Sequence, residues 1–316
     1  MKKLSLLLSI VIVTVFSCKK DTIEPIIDTE TGTNTPTGST GGISNFFKQN
    51  VLNATQTFTI DASTYEYITG SKGTKLYINA NTFKDQFNNI VTGNVTIELI
   101  EIQTKADMIL LNKTTTSNGN LLISGGEISV KAFQNGSQLM LATNAYIGVN
   151  MPTNNPVNMQ LFTGTEDDNG NLNWDSTGTN VIVDTLGGFN FNLDSLTLNN
   201  DSLGWINCDY FYGQGNLTTL NVITSSPYNG ANTFIYLFFN NIYSVAPLSW
   251  SNNTQNFVSY SNSLPVGSQM TIVAISEING QYYSSFTPIT LTTNHSETIN
   301  LNATTLSALE IDLNNL

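Results

Sequence analysis

His295 is the single histidine of the 316-residue chain, so any Ser-His-Asp triad or histidine-ligated metal site must be built on it. No Gly-x-Ser-x-Gly elbow accompanies it, and a polar turn between strands near Leu291 and Ile299 is its simpler setting. The acids Glu166, Asp167 and Asp168 run together ahead of Asn169-Gly170, with Trp174 shortly after. Carboxylates can contact a cation or a polar ligand, and an exposed indole beside them can stack on a sugar ring. Counted from Asp167, however, the sixth and twelfth positions hold Leu172 and Gly178, where a calcium EF-hand loop needs Gly and Glu. The run therefore reads as an acidic hairpin tip. Glu166, Asp167, Asp168 and Trp174 are its candidate ligand or cation contacts, with Trp174 expected at the surface and Trp205 expected in packing. No catalytic residue, dedicated metal site or cofactor is expected.

Charge excludes other chemistry. The formal net charge is −12, the chain has no arginine, and no lysine follows Lys131. Recognition of nucleic acid rests on a basic footprint that is missing here, so nucleic acid is not a partner. The cysteines are Cys18 and Cys208, too few for a disulfide framework. Cys208 reads as a small buried thiol of no special reactivity.

Cys18 has a different setting. It follows Met1-Lys2-Lys3, an apolar run over residues 4–16, and Ser17. A basic start, about a dozen apolar residues and a small residue before the cut form a secretory signal too short to span a bilayer. A cysteine at the first mature position makes residues 1–17 resemble a bacterial lipoprotein signal peptide, which implies diacylglycerol and palmitate-type acylation of Cys18. Each buried methylene contributes roughly 0.8 kcal/mol, and more than one acyl chain makes the attachment stable. Residues 18–43 are rich in Thr, Gly, Pro and Ser, a composition that cannot bury a core, and read as a flexible tether.

Beyond the tether the dominant period is two. Leu76/Ile78, Val95/Ile97/Leu99 and Ile128/Val130/Ala132 alternate with polar residues, as half-buried strands do. The apolar set changes phase at Leu99-Ile100, which suggests a bulge or a strand passing between sheets. Residues 234–239 are apolar on both faces and read as a central strand. Asn-Gly pairs at 118, 135, 169, 229 and 279 predict tight antiparallel hairpins. One helix is expected at the end, capped by Thr304 or Thr305, with Leu306, Leu309, Leu313 and Leu316 sealing the last β-domain. The expected fold class is all-β, with two antiparallel β-sandwich-like domains over residues 44–213 and 214–316 and a short C-terminal helix.

Gly73-Thr74-Lys75-Leu76-Tyr77-Ile78-Asn79-Ala80-Asn81-Thr82-Phe83, Gly93 to Leu99, Ser124-Gly125-Gly126-Glu127-Ile128 and the segment 204–211 resemble a family of uncharacterised Bacteroidetes lipoproteins. The first segment is also distantly similar to the β-sandwich domain of zonula occludens, ankyrin and netrin-receptor proteins. The resemblance implies an interaction or structural module without a cofactor, in an outer-membrane envelope setting. Asp-Ser/Thr followed by an aliphatic residue resembles the O-glycosylation sequon of that phylum, which implies Thr185, Ser195 and Ser202 as acceptor sites. The expectation is a lipid-anchored envelope protein with a structural, adhesive or ligand-binding role, touching the membrane through its anchor and a glycan or protein through its surface. The alternative is a hydrolase or protease-like enzyme using His295 or clustered carboxylates.

Overall fold

The computed structural model describes residues 42–316 except 154, 168, 169, 186, 196, 199–201 and 214. The signal peptide, Cys18 and residues 18–41 of the tether lie outside the described residues.

Alternation along the first half of the chain builds a two-sheet sandwich. Sheet I runs in the order Gln56–Asp61, Asn94–Ile102, Asn120–Gln134, Trp205–Phe211, Gln160–Glu166, Leu172–Asn180. Sheet II runs Ile182–Val183, Phe189–Leu193, Ile147–Met151, Lys75–Ile78, Glu66–Thr69. All their strand pairs are antiparallel. Side chains of alternate residues meet between them: Leu76, Ile78 and Val149 from one sheet, Ile97, Leu99, Ile128, Val130, Ile206 and Cys208 from the other.

The second half forms sheet III, in the order His295–Ile299, Leu220–Thr224, Asn256–Val258, Val245–Ser251, Thr233–Phe239, Gln269–Ile278, Gln281–Thr290, Asn302–Thr304. Residues 245–248 pair with Thr233–Phe239, and residues 249–251 pair with Asn256–Val258. This change of partner lets the two arms of the sheet close over their own core of Val222, Leu237, Phe257, Ile272 and Ala274. The described residues are therefore all-β, as the patterning predicts, with the Leu220–Thr224 and His295–Ile299 pair a parallel exception.

A third apolar layer joins the outer face of sheet I to the outer face of sheet III. It explains the double-sided strand Thr233–Phe239: Ile235 and Leu237 enter the core of sheet III, while Tyr236 and Phe238 enter the shared layer. It also corrects the expected bulge at Leu99-Ile100. The register of Asn94–Ile102 is continuous on both sides; Leu99 faces the sandwich, and Ile100 and Ile102 face the shared layer. The apolar phase changes because the outer face passes from water to a second core. The bulges lie elsewhere, between Gln160 and Phe162 and opposite Asn207–Asp209.

Helices fill that layer, and period-two reading missed two of them. Helix α1, Gly42–Ala54, buries Ile43, Phe46 and Phe47 at i, i+3, i+4 spacing. Burial of each contributes roughly 1.5–3 kcal/mol, which overrides the polar composition on either side. Helix α2, Lys105–Leu110, starts with a reciprocal capping box between Thr104 and Asp107. Helix α3, Leu306–Asn314, is capped by Thr305 and buries Leu309 and Leu313 in the shared layer, beside α2. Leu306 and Leu316 are exposed, so the expected four-leucine stripe is half as wide as its spacing suggests. Among the described residues no helix is long and apolar enough to cross a membrane.

Of the Asn-Gly pairs, 118, 135 and 279 place both residues at positive φ, as a type I′ hairpin turn requires, and Gly170 is at positive φ after Asn169, which lies outside the described residues. Asn229-Gly230 departs from the expectation: neither residue has positive φ, and a Cβ on Gly230 would run into the Trp250 side chain. Glycine is needed there for close approach to the indole.

Candidate functional site

The acidic hairpin is positioned by the C-terminus of α2. Leu111 caps the helix, Asn112 takes φ 55°, the Asn112 N–H donates to the Ile109 carbonyl (3.1 Å) and the Lys113 N–H to the Met108 carbonyl (2.7 Å). This paired closure is a Schellman turn, and asparagine tolerates its left-handed residue. It delivers two side chains to the hairpin. Asn112 accepts from the Tyr236 hydroxyl (2.7 Å) and donates to Asn171 Oδ1 (3.0 Å). Lys113, whose side chain is only 2% exposed, donates from Nζ to Glu166 Oε1 (2.8 Å) and to the Gly170 carbonyl (2.7 Å). Its ammonium also lies 5.2 Å from the Trp205 ring.

The carboxylates of the hairpin are thus engaged within the fold. Glu166 Oε2 accepts from the Trp205 indole (3.2 Å), while both Asp167 oxygens accept from Asn171, through its backbone and its amide, at 2.9 Å. Asp168 lies outside the described residues. Trp174 corrects the expectation of an exposed platform. It is fully buried and donates to the Thr114 carbonyl (2.8 Å), because its strand position faces the shared layer rather than solvent. Trp205 is buried, as expected.

Glu166 and Asp167 nevertheless line a cleft of ≈ 760 Å³. One wall is the hairpin and its surroundings, with Asn112, Asn171, Asn173 and Asp175; the other carries Phe234 and Trp250 from sheet III and Tyr260 from the loop after Asn256–Val258. Trp250 is half-buried, edge-on to Phe257 at 5.0 Å, and Tyr260 is 50% exposed. The aromatic surface beside the acids is therefore formed by Trp250 and Tyr260, which come from distant sequence.

A second constellation lies deeper, and the sequence reading passed over it. Opposite Asn207–Asp209, the bulge at Ser124-Gly125-Gly126-Glu127 puts an extra residue into the central strand of sheet I. Gly126 has φ 131°, and a Cβ on Gly125 would drive into Phe189 and Met159. On the shared-layer face sit Ser124, Glu127, Asn207 and Asp209, all fully buried. The Gly126 N–H donates to Ser124 Oγ (3.1 Å), Ser124 Oγ donates to Asn207 Oδ1 (3.0 Å), and Asn207 Nδ2 donates to Asp209 Oδ2 (2.7 Å). Both Glu127 carboxyl oxygens, Asp209 Oδ1 and Gln103 Nε2 are buried without a hydrogen-bond partner. Burial, then the charge of Asp209, pushes the Glu127 carboxyl well above its ordinary range. Burial does the same to Asp209. A cavity of ≈ 30 Å³ beside the cluster is walled by Gln103, Ser124, Gly125, Thr153, Asn155 and Tyr243.

Elsewhere, the candidate residues stay apart. The His295 Nδ1 accepts from the Thr292 N–H (3.2 Å), so Nε2 carries the proton toward Glu297 (3.2 Å), and the ring locks its own turn. Thr185, Ser195 and Ser202 are each exposed. Among the described residues no three or more His, Cys, Asp or Glu side chains gather as a metal site. No protein-family model matches the chain, and no curated protein matches it.

Proposed function

We propose that this chain is a lipid-anchored protein of the bacterial cell envelope whose role is non-catalytic binding, with a neutral glycan held in the cleft. The observation that carries this reading is the pairing of an amide- and hydroxyl-rich wall with the Trp250 and Tyr260 rings across ≈ 760 Å³. Sugar rings are bound by such pairs: aromatic faces take the apolar C–H face, and side-chain amides bond the hydroxyls. Glu166, Asp167 and Asp175 contribute negative charge to the rim, which disfavours sulfated or phosphorylated glycans. The anchor reading rests on the charge, length and cysteine of residues 1–18.

A glycan array with the detergent-solubilised protein tests the binding role. Reproducible binding to neutral glycans, lost in Trp250→Ala, is the expected result. Binding to none, or binding that Trp250→Ala leaves intact, refutes a glycan role for the cleft.

A further inference from the structure

We infer that the outer face of sheet II is a docking platform for a neutral, β-1,4-linked polysaccharide, a flat ribbon that lies across the strands and is bound independently of the cleft. Two rows of outward side chains cross this sheet in register. Tyr67, Tyr77, Gly148 and Asn192 form one row, and Thr69, Lys75, Asn150 and Asn190 form the other. The residues between the rows, Ile68, Leu76, Val149 and Phe191, point into the sandwich core. Tyr67 is 49% exposed and Tyr77 half-buried, and neither ring belongs to an apolar core.

The rings are held as one surface. Their centroids are 5.5 Å apart with planes tilted by 37°, and Thr69 Oγ1 donates to the Tyr67 hydroxyl (3.0 Å), which lays that ring along its strand. Gly148 extends the surface as a clear floor beside Tyr77. It lies inside a strand without a positive φ, and a Cβ there would meet the Tyr77 side chain at 3.4 and 3.6 Å, which are ordinary contacts. Neither backbone nor packing therefore calls for a glycine, which weakens a strand interior; what it supplies is open space above the sheet. Exposed Tyr65 and Tyr146 directly precede Glu66–Thr69 and Ile147–Met151, and alternation puts them on the same side.

The chemistry of the face selects the occupant. Lys75 is the one charged residue of the two rows, in a chain of net charge −12, so a highly charged polymer finds no matching array of charges here. The rows hold no aliphatic side chain, which leaves a lipid surface without an apolar anchor. Aromatic faces take the C–H face of a sugar, and amides bond its hydroxyls. Asn150 Nδ2 is committed to Asp184 Oδ2 (2.8 Å) and Asn190 Oδ1 (2.9 Å), which sets Asn150 Oδ1 as an acceptor and Asn190 Nδ2 as a donor for the hydroxyls of a partner. A flat surface of rings fits a ribbon whose sugars present their flat faces in turn, as β-1,4-linkage gives. A coiled α-1,4-linked chain touches such a surface only at isolated points.

Adsorption of the detergent-solubilised full chain to microcrystalline cellulose, to chitin and to granular starch tests the platform, with the bound fraction read across a protein concentration series. Saturable adsorption to either β-1,4-linked ribbon and none to starch is the expected result. The double variant Tyr67→Ala/Tyr77→Ala removes both rings and should weaken adsorption about tenfold or more. Gly148→Gln keeps the rings and raises a side chain from the floor between them and Asn192, and it should weaken adsorption likewise. Should the tyrosine variant lose its fold by circular dichroism, Gly148→Gln decides in its place. Adsorption to neither ribbon overturns the inference, and so does equal adsorption to starch. Adsorption that survives in the folded variant also overturns it, since the polysaccharide would then be held elsewhere, the cleft included. A cleft that binds no glycan leaves each of these outcomes unchanged.

Discussion

Replacing Lys113 and Glu166 separately should expose an asymmetry set by their different burial. Lys113 is 2% exposed at its side chain, whereas Glu166 is 41% exposed. In Lys113→Met the stem is still filled by apolar atoms, the buried ammonium is gone, and the Glu166 carboxylate turns to water. The loss is two charge-assisted hydrogen bonds of about 1.5–3 kcal/mol each and a cation–π contact of about 0.5–1 kcal/mol. Against this stand the recovered desolvation of the ammonium and solvent screening at the exposed carboxylate, so the net cost should be about 1–2 kcal/mol. Glu166→Ala instead leaves an ammonium sealed in the protein with the Gly170 carbonyl as its remaining hydrogen-bond acceptor, which should cost about 3 kcal/mol or more. Urea unfolding of both variants at constant pH measures the difference, with an unchanged m-value confirming that the comparison is of stability alone. Hydrogen exchange should show where the cost falls. The Gly170 and Asn171 amides, held by Asp167 at 2.9 Å each, should exchange faster in both variants, and the amides of sheet II should not. A cost for Lys113→Met equal to or above that for Glu166→Ala would refute the reasoning, because it would mean that the exposed partner, and not the buried one, carries the penalty.

Two further outcomes follow from burial. Cys208 is fully buried in the sandwich core, and burial pushes its thiol well up, so a disulfide-exchange reagent at pH 8 should label it only under unfolding conditions; rapid labelling of the native protein would contradict that placement. Burial against Phe238 pushes the Lys105 ammonium from 10.5 down to about 8. Between those values the unfolded chain holds a proton that the folded chain has released, so this group makes the fold more stable as pH rises from about 8 to 10.5. Urea unfolding across that window should show the rise in the wild type and a smaller one in Lys105→Met, and equal slopes would disprove it.

How far the sequence revealed this architecture depended on what covered each strand. Strands with one face in the sandwich core and one in water, such as Lys75–Ile78, announce themselves by alternation, and Asn-Gly turns mark the hairpins at 118, 135 and 279. Helix α1 was hidden because its apolar residues are few and its neighbours read as tether; only the packing of Phe46 and Phe47 against Phe234, Tyr236 and Tyr282 makes it a helix. Helix α2 did carry a readable signal, the Thr104-x-x-Asp107 capping box. The hairpin acids were found at the cleft, but the aromatic partner was assigned to Trp174 by proximity in sequence. The strand opposite, with Trp250, reaches the cleft only through the folding of sheet III onto sheet I.

The acid cluster was missed for a more general reason. In Asn120–Gln134 and Trp205–Phe211, Ile128, Val130, Ile206 and Cys208 fill the sandwich, so alternation assigns Glu127, Asn207 and Asp209 to the outer face, where polar residues ordinarily meet water. That inference fails only if something covers the outer face, and the cover here is assembled from α1, α2, α3 and sheet III. Ile100, Ile102, Leu122 and Phe162 on the same face are the trace of that cover in the sequence. Once an outer face carries apolar residues on neighbouring strands, its remaining carboxyls are buried too, and each must find a donor or keep its proton. Glu101, on the opposite face of Asn94–Ile102, shows the ordinary solution: its oxygens accept from the backbone N–H groups of Lys72 (2.9 Å) and Thr74 (2.8 Å). Glu127 has no such donors, although it sits on the adjacent strand of the same sheet. The contrast between these two buried glutamates is one of protonation: Glu101 is held by the N–H groups of a turn, whereas burial pushes the Glu127 carboxyl well above its ordinary range, so that it keeps its proton and avoids the cost of an unpaired buried charge.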